Sequence, residues 1–235
     1  MCADAASPPK ASRLTIPSTS PTPLPGLINL KDTAIRNKPS RSPLRIGIFG
    51  GSFDPVHLGH LLVAQAAQEE LGLDSVVFVP AAQSPFKPDN VPAPAASRLR
   101  FLRLALAGRA ACSIDDQEIR RGSPSYAIDT VRDFAWRFPF ASLFYLIGAD
   151  HVAQLAKWRD ALELAKLTEF VVIPRPGHVA SATAPPQFRV RVLRGIPNSV
   201  SSLEIRARAK GGLPIDLLVP SVVAEAIERE QTYKN

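Results

Sequence analysis

From Leu44 onward the apolar positions follow two rhythms that alternate along the chain. Short unbroken apolar runs, the mark of strands buried on both faces, occur at Leu44–Phe49 (LRIGIF), Ser75–Pro80 (SVVFVP), Ala141–Gly148 (ASLFYLIG) and Glu169–Pro174 (EFVVIP). Ala111–Asp116 (ACSIDD) is a weaker run of the same kind, and Arg189–Leu193 (RVRVL) predicts one more strand. Between these runs the apolar residues recur every three or four positions, which predicts helices. One is Leu61–Leu71, stopped by Gly72; another is Ser97–Leu106, with Ser97 as its cap and Leu99, Leu102 and Leu106 on one face. Tyr126–Phe138 is amphipathic, and helices around Ser201–Lys210 and Pro220–Glu230 close the chain. Apolar strands alternating with helices predict a parallel sheet covered on both faces, a doubly wound, Rossmann-like α/β fold. Ligands of such sheets bind beyond the carboxyl ends of the strands.

Before Leu44 neither rhythm exists. Residues 1–43 hold Pro8, Pro9, Pro17, Pro21, Pro23, Pro25, Pro39 and Pro43 among many Ser and Thr and scattered Lys and Arg. Such a composition buries too little apolar surface to offset the entropy of ordering it, and predicts a disordered extension ahead of one folded domain at 44–235. A solvated tail is the plain account of it; a transit peptide and a basic arm for nucleic acid are the alternatives. The total of 235 residues suits one medium α/β domain plus such a tail. A net charge of +7 admits anionic partners without choosing among a phosphate-bearing metabolite, nucleic acid and a membrane surface. Two cysteines, Cys2 and Cys112, exclude a disulfide framework and a cysteine-built zinc set. No apolar run approaches the ~20 residues of a bilayer span, and there is no signal-peptide core, so a cytoplasmic protein without membrane partners is expected.

The chemistry concentrates in one turn, GIFGGSFDPVHLGH, from Gly47 to His60. Its spacing excludes a Walker A loop, because no G-K-[ST] follows the glycines; it also excludes G-x-G-x-x-G and H-E-x-x-H. Gly50 and Gly51 permit a close backbone approach or a positive φ, and Ser52 adds a hydroxyl. Asp54–Pro55 reads as a turn. His57 and His60 stand three apart on one face at a helix start. A helix N-terminus is already positive, so imidazoles there make sense when an anion is bound beside them. Gly59 removes side-chain bulk where a flat base could lie.

The string GGSFDPVHLGH resembles the signature of the H-x-G-H nucleotidyltransferase superfamily, which moves a nucleotidyl group from a nucleoside triphosphate and releases pyrophosphate. Later segments resemble, in order, those of the bacterial nicotinate-nucleotide adenylyltransferases. They are VPAAQSPFKP (79–88), IRRGSPSYAIDTV (119–131), FYLIGADHVAQLAKW (144–158), VIPRPG (172–177) and VSSLEIRARAKGG (200–212). Two residues depart from that pattern: Ala127 and Leu203 stand where the family has threonine.

The resemblance implies transfer of AMP from ATP to nicotinate mononucleotide, giving deamido-NAD and pyrophosphate. The attacking phosphate oxygen is already ionised, so positioning and charge stabilisation suffice without a general base or a covalent intermediate. His57 and His60 would contact the ATP phosphates, His60 acting on the transition state. Gly50, Gly51, Ser52, Phe53 and Gly59 would line the nucleotide, and Gly148 and Asp150 would face adenine and ribose. Ser201, Ser202 and Arg206 would hold the β- and γ-phosphates at a second helix start. Lys87 would neutralise the mononucleotide phosphate and Trp158 would stack on the pyridine. Ser125, Tyr126 and Ala127 would line the acceptor, the last two framing the nicotinate carboxylate through their backbones. Arg175 would be a positive neighbour of the substrate or part of a structural ion pair. Mg²⁺ would come with ATP, since no carboxylate cage is evident and a strand would point Asp115 and Asp116 apart. Competing expectations are the same chemistry on nicotinamide mononucleotide or phosphopantetheine, and a catalytically silent nucleotide-binding regulator. The regulator would be signalled by eroded histidines, and both are intact. A nucleic-acid binder lacks a basic motif interleaved with aromatics. Oligomeric state is left open.

Overall fold

A parallel sheet needs a crossover between successive strands, and helices supply it between β1 and β2, β2 and β3, β3 and β4, and β4 and β5. The computed structural model describes residues 42–83, 91–174, 184–195 and 198–234. The elements run β1 (Arg45–Gly51), α1 (Leu58–Leu71), β2 (Ser75–Pro80), α2 (Ala95–Leu106), β3 (Cys112–Ile114), α3 (Gln117–Arg121), α4 (Ala127–Arg137) and β4 (Ser142–Gly148). A 3-10 segment (Ala149–Lys157) follows, then α5 (Ala161–Leu167), β5 (Glu169–Ile173), β6 (Val190–Val192), α6 (Ser202–Lys210) and α7 (Ser221–Glu230). The expected extension at 1–43 lies outside the described residues except for its last two, which carry no regular structure.

The six strands form one sheet in the order β3-β2-β1-β4-β5-β6, every pair parallel. This is the doubly wound order, and its reversal point lies between β1 and β4. Alternate residues of each strand serve opposite faces. Phe49, Val76, Phe78, Phe144 and Leu146 join α1, α2, α6 and α7 in one core. Ile46, Ile48, Val77, Val79, Leu143, Tyr145 and Ile147 join α4, α5 and the 3-10 segment in the other. Both faces are dry, which is why these strands read as unbroken apolar runs.

Register places the site. β1 pairs with β2 as far as Gly51↔Pro80, but with β4 only as far as Phe49↔Leu146. The last two residues of β1 therefore lie at the reversal point with no ladder partner on the β4 side.

Three expectations are corrected in detail. α2 starts two residues before Ser97, at Ala95, so Pro94 occupies the cap position. β3 is confined to Cys112–Ile114, because the Asp115 carboxylate accepts from the Gln117 N–H and the chain turns there into α3. α3, α5 and the 3-10 segment are additional helices, of five, seven and nine residues, too short to carry a clear helical period.

Phe134 and Trp136 of α4 provide a check on this arrangement, since Phe134 is fully buried and Trp136 is 81% exposed. Phe134→Ala should lower unfolding stability by about 3–5 kcal/mol, and Trp136→Ala by less than about 0.5 kcal/mol. Urea unfolding of both variants measures this; equal losses would contradict the orientation of α4.

Candidate active site

The turn after β1 carries the chain from Gly51 to the first residue of α1 at Leu58. Gly50 and Gly51 both keep ordinary extended backbone, and the positive φ falls instead on Phe53, at 46°. The glycines serve close approach. A Cβ on Gly50 would lie 2.6 Å from the Tyr145 hydroxyl, and one on Gly51 would lie 3.2 Å from the Phe53 ring. Phe53 is turned inward and buried against Phe49 and Phe78. A buried phenylalanine holds the unusual φ because its ring is locked on all sides.

His57 is the cap residue of α1 and is 93% covered by the fold, being 7% exposed. Its N–H donates to His60 Nδ1 at 3.2 Å. That bond requires a bare Nδ1 and leaves the imidazole proton of His60 on Nε2. The two rings lie against each other, tilted by 32° with centroids 3.7 Å apart, and the Phe53 ring meets His60 edge-on at 5.0 Å. His60 is thus clamped from two directions, with its donor atom defined. Gly59 does create space, but a side chain of this protein uses it: a Cβ there would collide with Asn198 Oδ1 and touch the His57 ring at 3.0 Å.

A second helix start adjoins the first. Ser201 caps α6, its Oγ accepting from Glu204 N–H at 3.2 Å. The Ser202 hydroxyl donates to the Pro55 carbonyl at 2.9 Å. Arg206, one turn on, donates from Nη1 to the Asp54 carbonyl at 2.8 Å, with the Asp54 carboxylate 3.7 Å away. The ends of α1 and α6 are therefore joined through Asp54 and Pro55. Two positive helix ends, two imidazoles and one guanidinium meet at the reversal point of the sheet, an arrangement suited to a polyphosphate.

The turn is also braced from below. Arg98 of α2 is 1% exposed, and its guanidinium donates to the carbonyls of Ser52 (2.7 Å), Ala81 (2.8 Å) and Ala93 (3.0 Å). Burial pulls its pKa down, while Asp54 and Tyr233 push it up. Asp54 is itself buried; its Oδ1 accepts from the Tyr233 hydroxyl at 2.8 Å and from Ala93 N–H at 3.3 Å. Sequence reading saw Asp54 only as a turn residue and did not single out Arg98 or Tyr233. An arginine among the core leucines of a helix was the available signal.

The residues expected at adenine and ribose, and those expected at the acceptor, come from the end of β4, the 3-10 segment and the start of α4. Gly148 ends β4 and caps the 3-10 segment, and Asp150 is exposed on its first turn, 3.8 Å from His151. Trp158 follows that segment, half-buried and edge-on to Tyr145, His151 and Phe170. Tyr126 caps α4, Ala127 is its first residue, and the guanidinium of Arg159, which sequence reading also missed, sits 4.8 Å over the Tyr126 ring. Ser125 is buried: its N–H donates to Gln83 carbonyl, and its Oγ accepts from Ala82 N–H at 3.0 Å. Of the two positions that differ from the family, Ala127 packs against the core and Leu203 is 72% exposed. Lys87 and Arg175 lie outside the described residues.

Beneath Ser125 is a polar cluster. Glu118 of α3 is buried and accepts from the Thr130 hydroxyl at 2.6 Å, and Arg121 donates to the same Thr130 oxygen at 2.8 Å. Burial pushes the Glu118 carboxyl up; hydrogen bonds from Thr130 and Ser125 and the charge of Arg121 oppose it, and Asp115 adds to it. A hollow of about 460 Å³ lined by Gln117, Arg120, Arg121, Asp133 and Arg137 lies nearby. Its arginines are occupied: Arg120 with Asp116 (2.7 Å), and Arg137 with Asp115 (2.6 Å) and Asp133. Asp115 and Asp116 lie past the end of β3, and both reach Arg120, at 3.6 and 2.7 Å, so they do not part as neighbours on a strand would. Among the described residues no group of three His, Cys, Asp or Glu stands close enough to hold a metal ion, and no helix is long and apolar enough to cross a membrane.

Comparison with known proteins adds to this geometry. Residues 48–208 match the family model described as cytidylyltransferase-like. A protein of Opitutus terrae named "Probable nicotinate-nucleotide adenylyltransferase" is 40% identical over 192 residues, covering 81% of this chain and 98% of its own. A protein of Corynebacterium kroppenstedtii with the same name is 39% identical over 191 residues, covering 80% and 90%. Among solved structures, the nicotinic acid mononucleotide adenylyltransferase of Plasmodium falciparum complexed with NaAD superimposes with a TM-score of 0.68 at 16% identity, over 81% of this chain and 97% of that one. That likeness is one of fold.

The raised carboxyl of Glu118 has a measurable sign. The folded state keeps this proton to higher pH than the unfolded chain does, so stability falls as pH rises from the ordinary carboxylate range through the folded value. Glu118→Gln removes that component. Its stability relative to the unaltered protein should therefore rise as pH climbs above the ordinary carboxylate range in urea unfolding; a difference independent of pH would show that Glu118 ionises normally.

Proposed function

We infer the chemistry of this site from one premise: the chain belongs to the cytidylyltransferase-like family and, within it, to the nicotinate-nucleotide adenylyltransferases. It is an adenylyltransferase that moves AMP from ATP to nicotinate mononucleotide, forming deamido-NAD and releasing pyrophosphate. The observation that carries the residue roles is the convergence of the α1 and α6 helix starts, with His57, His60 and Arg206, at the reversal point of the sheet.

The phosphate oxygen of the mononucleotide attacks the α-phosphorus of ATP; the bond to the β-phosphate oxygen breaks, and pyrophosphate leaves. No proton has to move, so the protein works by alignment and charge. The ATP phosphates lie across the two helix starts. His60, with its proton held on Nε2, donates to the phosphoryl oxygens as negative charge builds. His57, half of the imidazole pair, keeps that ring in place and adds a second imidazole to the phosphates. Ser201, Ser202 and Arg206 take the β- and γ-phosphates, and the backbone of Gly50, Gly51, Ser52 and Phe53 borders the nucleotide. Gly148 and Asp150 face adenine and ribose. The acceptor lies toward Ser125, Tyr126, Ala127 and Trp158, with Lys87 and Arg175 as further cations.

Mg²⁺ would come with ATP and not from a site built by the described residues. The donor set fits this mode: the Asp54 carboxylate beside the turn is already engaged by Tyr233, Ala93 and Arg206. The ion would supply neutralising charge for the leaving pyrophosphate, while His57, His60 and Arg206 provide the protein's own donors to the phosphates.

Pyrophosphate release should be strongest with nicotinate mononucleotide when ATP and Mg²⁺ are supplied with that acceptor, nicotinamide mononucleotide or phosphopantetheine in parallel. Preference for another acceptor would move the substrate and keep the mechanism. No release with any acceptor, from folded chain that still binds ATP, would favour a silent regulator. His60→Ala should lower kcat by at least ~10²-fold, the scale of losing one transition-state donor. An unchanged kcat would remove His60 from the mechanism.

A further inference from the structure

Arg206 is oriented by a residue that is neither in the turn nor on its own helix. Its Nη1 bonds the Asp54 carbonyl, and the carboxylate of Asp54 stands 3.7 Å from the same nitrogen. A buried carboxylate with a single neighbouring cation would be costly and loosely placed. Asp54, 5% exposed, is instead fixed by the Tyr233 hydroxyl at 2.8 Å. Tyr233 reaches it because α7 ends at Gln231 in the left-handed conformation, φ 53°, and the chain folds back over the helix. The Thr232 N–H donates to the Ile227 carbonyl and the Lys234 N–H to the Gln231 carbonyl. The Tyr233 ring is 8% exposed in the same core as Phe49, Phe53 and Ile205. Asp54, Arg98 and Arg206 are the charged groups that face its hydroxyl. That hydroxyl thus meets a carboxylate whose other neighbours are the turn and the phosphate-side arginine.

We propose that Tyr233 is a positioning residue for the phosphate end of the site: by donating to Asp54 it sets the carboxylate against which Arg206 is aimed. This rests on the reaction given above for what Arg206 holds. Tyr233 touches no substrate, and its effect passes through Asp54 alone. It acts on the triphosphate side, since Tyr126 and Trp158 pack in the core on the opposite face of the sheet from Tyr233.

The test is a double-mutant cycle on the full chain with Tyr233→Phe, which keeps the ring, and Asp54→Asn, which keeps the shape. Steady-state kinetics are measured for ATP and for nicotinate mononucleotide, inorganic pyrophosphate binding by titration calorimetry, and folding by thermal melting. Y233F should lose about 10-fold in kcat/KM for ATP and in pyrophosphate affinity, the size of one charge-assisted hydrogen bond, with KM for the mononucleotide unchanged. Y233F on top of D54N should lose nothing more. Additive losses, equal losses toward both substrates, or ATP use and pyrophosphate affinity left intact would overturn the proposal. If Y233F does not fold, D54N decides in its place, by showing or failing to show the same loss confined to ATP and pyrophosphate. An unaltered protein that binds pyrophosphate yet turns over no acceptor would sink the reaction, and the pyrophosphate cycle would still judge Tyr233.

Discussion

Everything at the site depends on holding Ser52–His57 rigid where the sheet stops supporting it. β1 loses its β4 neighbour after Phe49, so the segment that must present main-chain N–H groups and two imidazoles cannot be steadied by a ladder. It is held instead by groups reaching its carbonyls and its one acid. Arg98 takes the Ser52 carbonyl, Arg206 the Asp54 carbonyl and Ser202 the Pro55 carbonyl, and the Leu58 N–H donates to Leu218. All these contacts except the last consume acceptors. The turn's carbonyls are thereby satisfied from within the protein, and its histidines stand at a helix start, the polarity an anion requires.

The same economy explains why a guanidinium is buried under α2. Three carbonyls at the ends of three elements point into one small space, and each needs a donor if it is not to be stranded. A planar group with five N–H donors satisfies them from a single side chain, and lysine could not reproduce the fork. Burial of that charge is tolerable because Asp54 lies close by, and Asp54 in turn meets Arg206 and the Tyr233 hydroxyl. The phosphate end of the site is thus built on a closed set of charges.

What could be read in advance follows from range. The strands at 75–80 and 169–174 were legible almost to the residue, because runs apolar on both faces depend only on neighbours a few positions away. The turn announced its chemistry through residue types, and His57, His60, Ser201, Ser202 and Arg206 do converge. How they converge was not legible. The positive φ falls on Phe53, whose ring meets His60 edge-on, and not on Gly50 or Gly51, where a positive φ was one of the two expectations. The space at Gly59 goes to Asn198, which lies far along the chain. Arg98 stands out only as an arginine among the leucines of α2, and Tyr233 lies in the turn after α7, so only tertiary closeness gives them a role. The short helices at 117–121 and 161–167 were missed for a different reason: five to seven residues make too few turns for a period to rise above noise.

The bond between Asp54 and Tyr233 spans 179 positions of the sequence. During synthesis at ~5–20 residues per second, the turn with its acid and both histidines is made roughly 10–40 seconds before the tyrosine that completes it. The sheet can begin to assemble in that interval, since β1, β2 and β4 are adjacent and already made. The phosphate end cannot reach its final form until the last turn of α7 has folded back. On the ribosome, fold and competence are therefore separated in time: a nascent chain that already resembles the finished enzyme still carries an unquenched carboxylate at its centre.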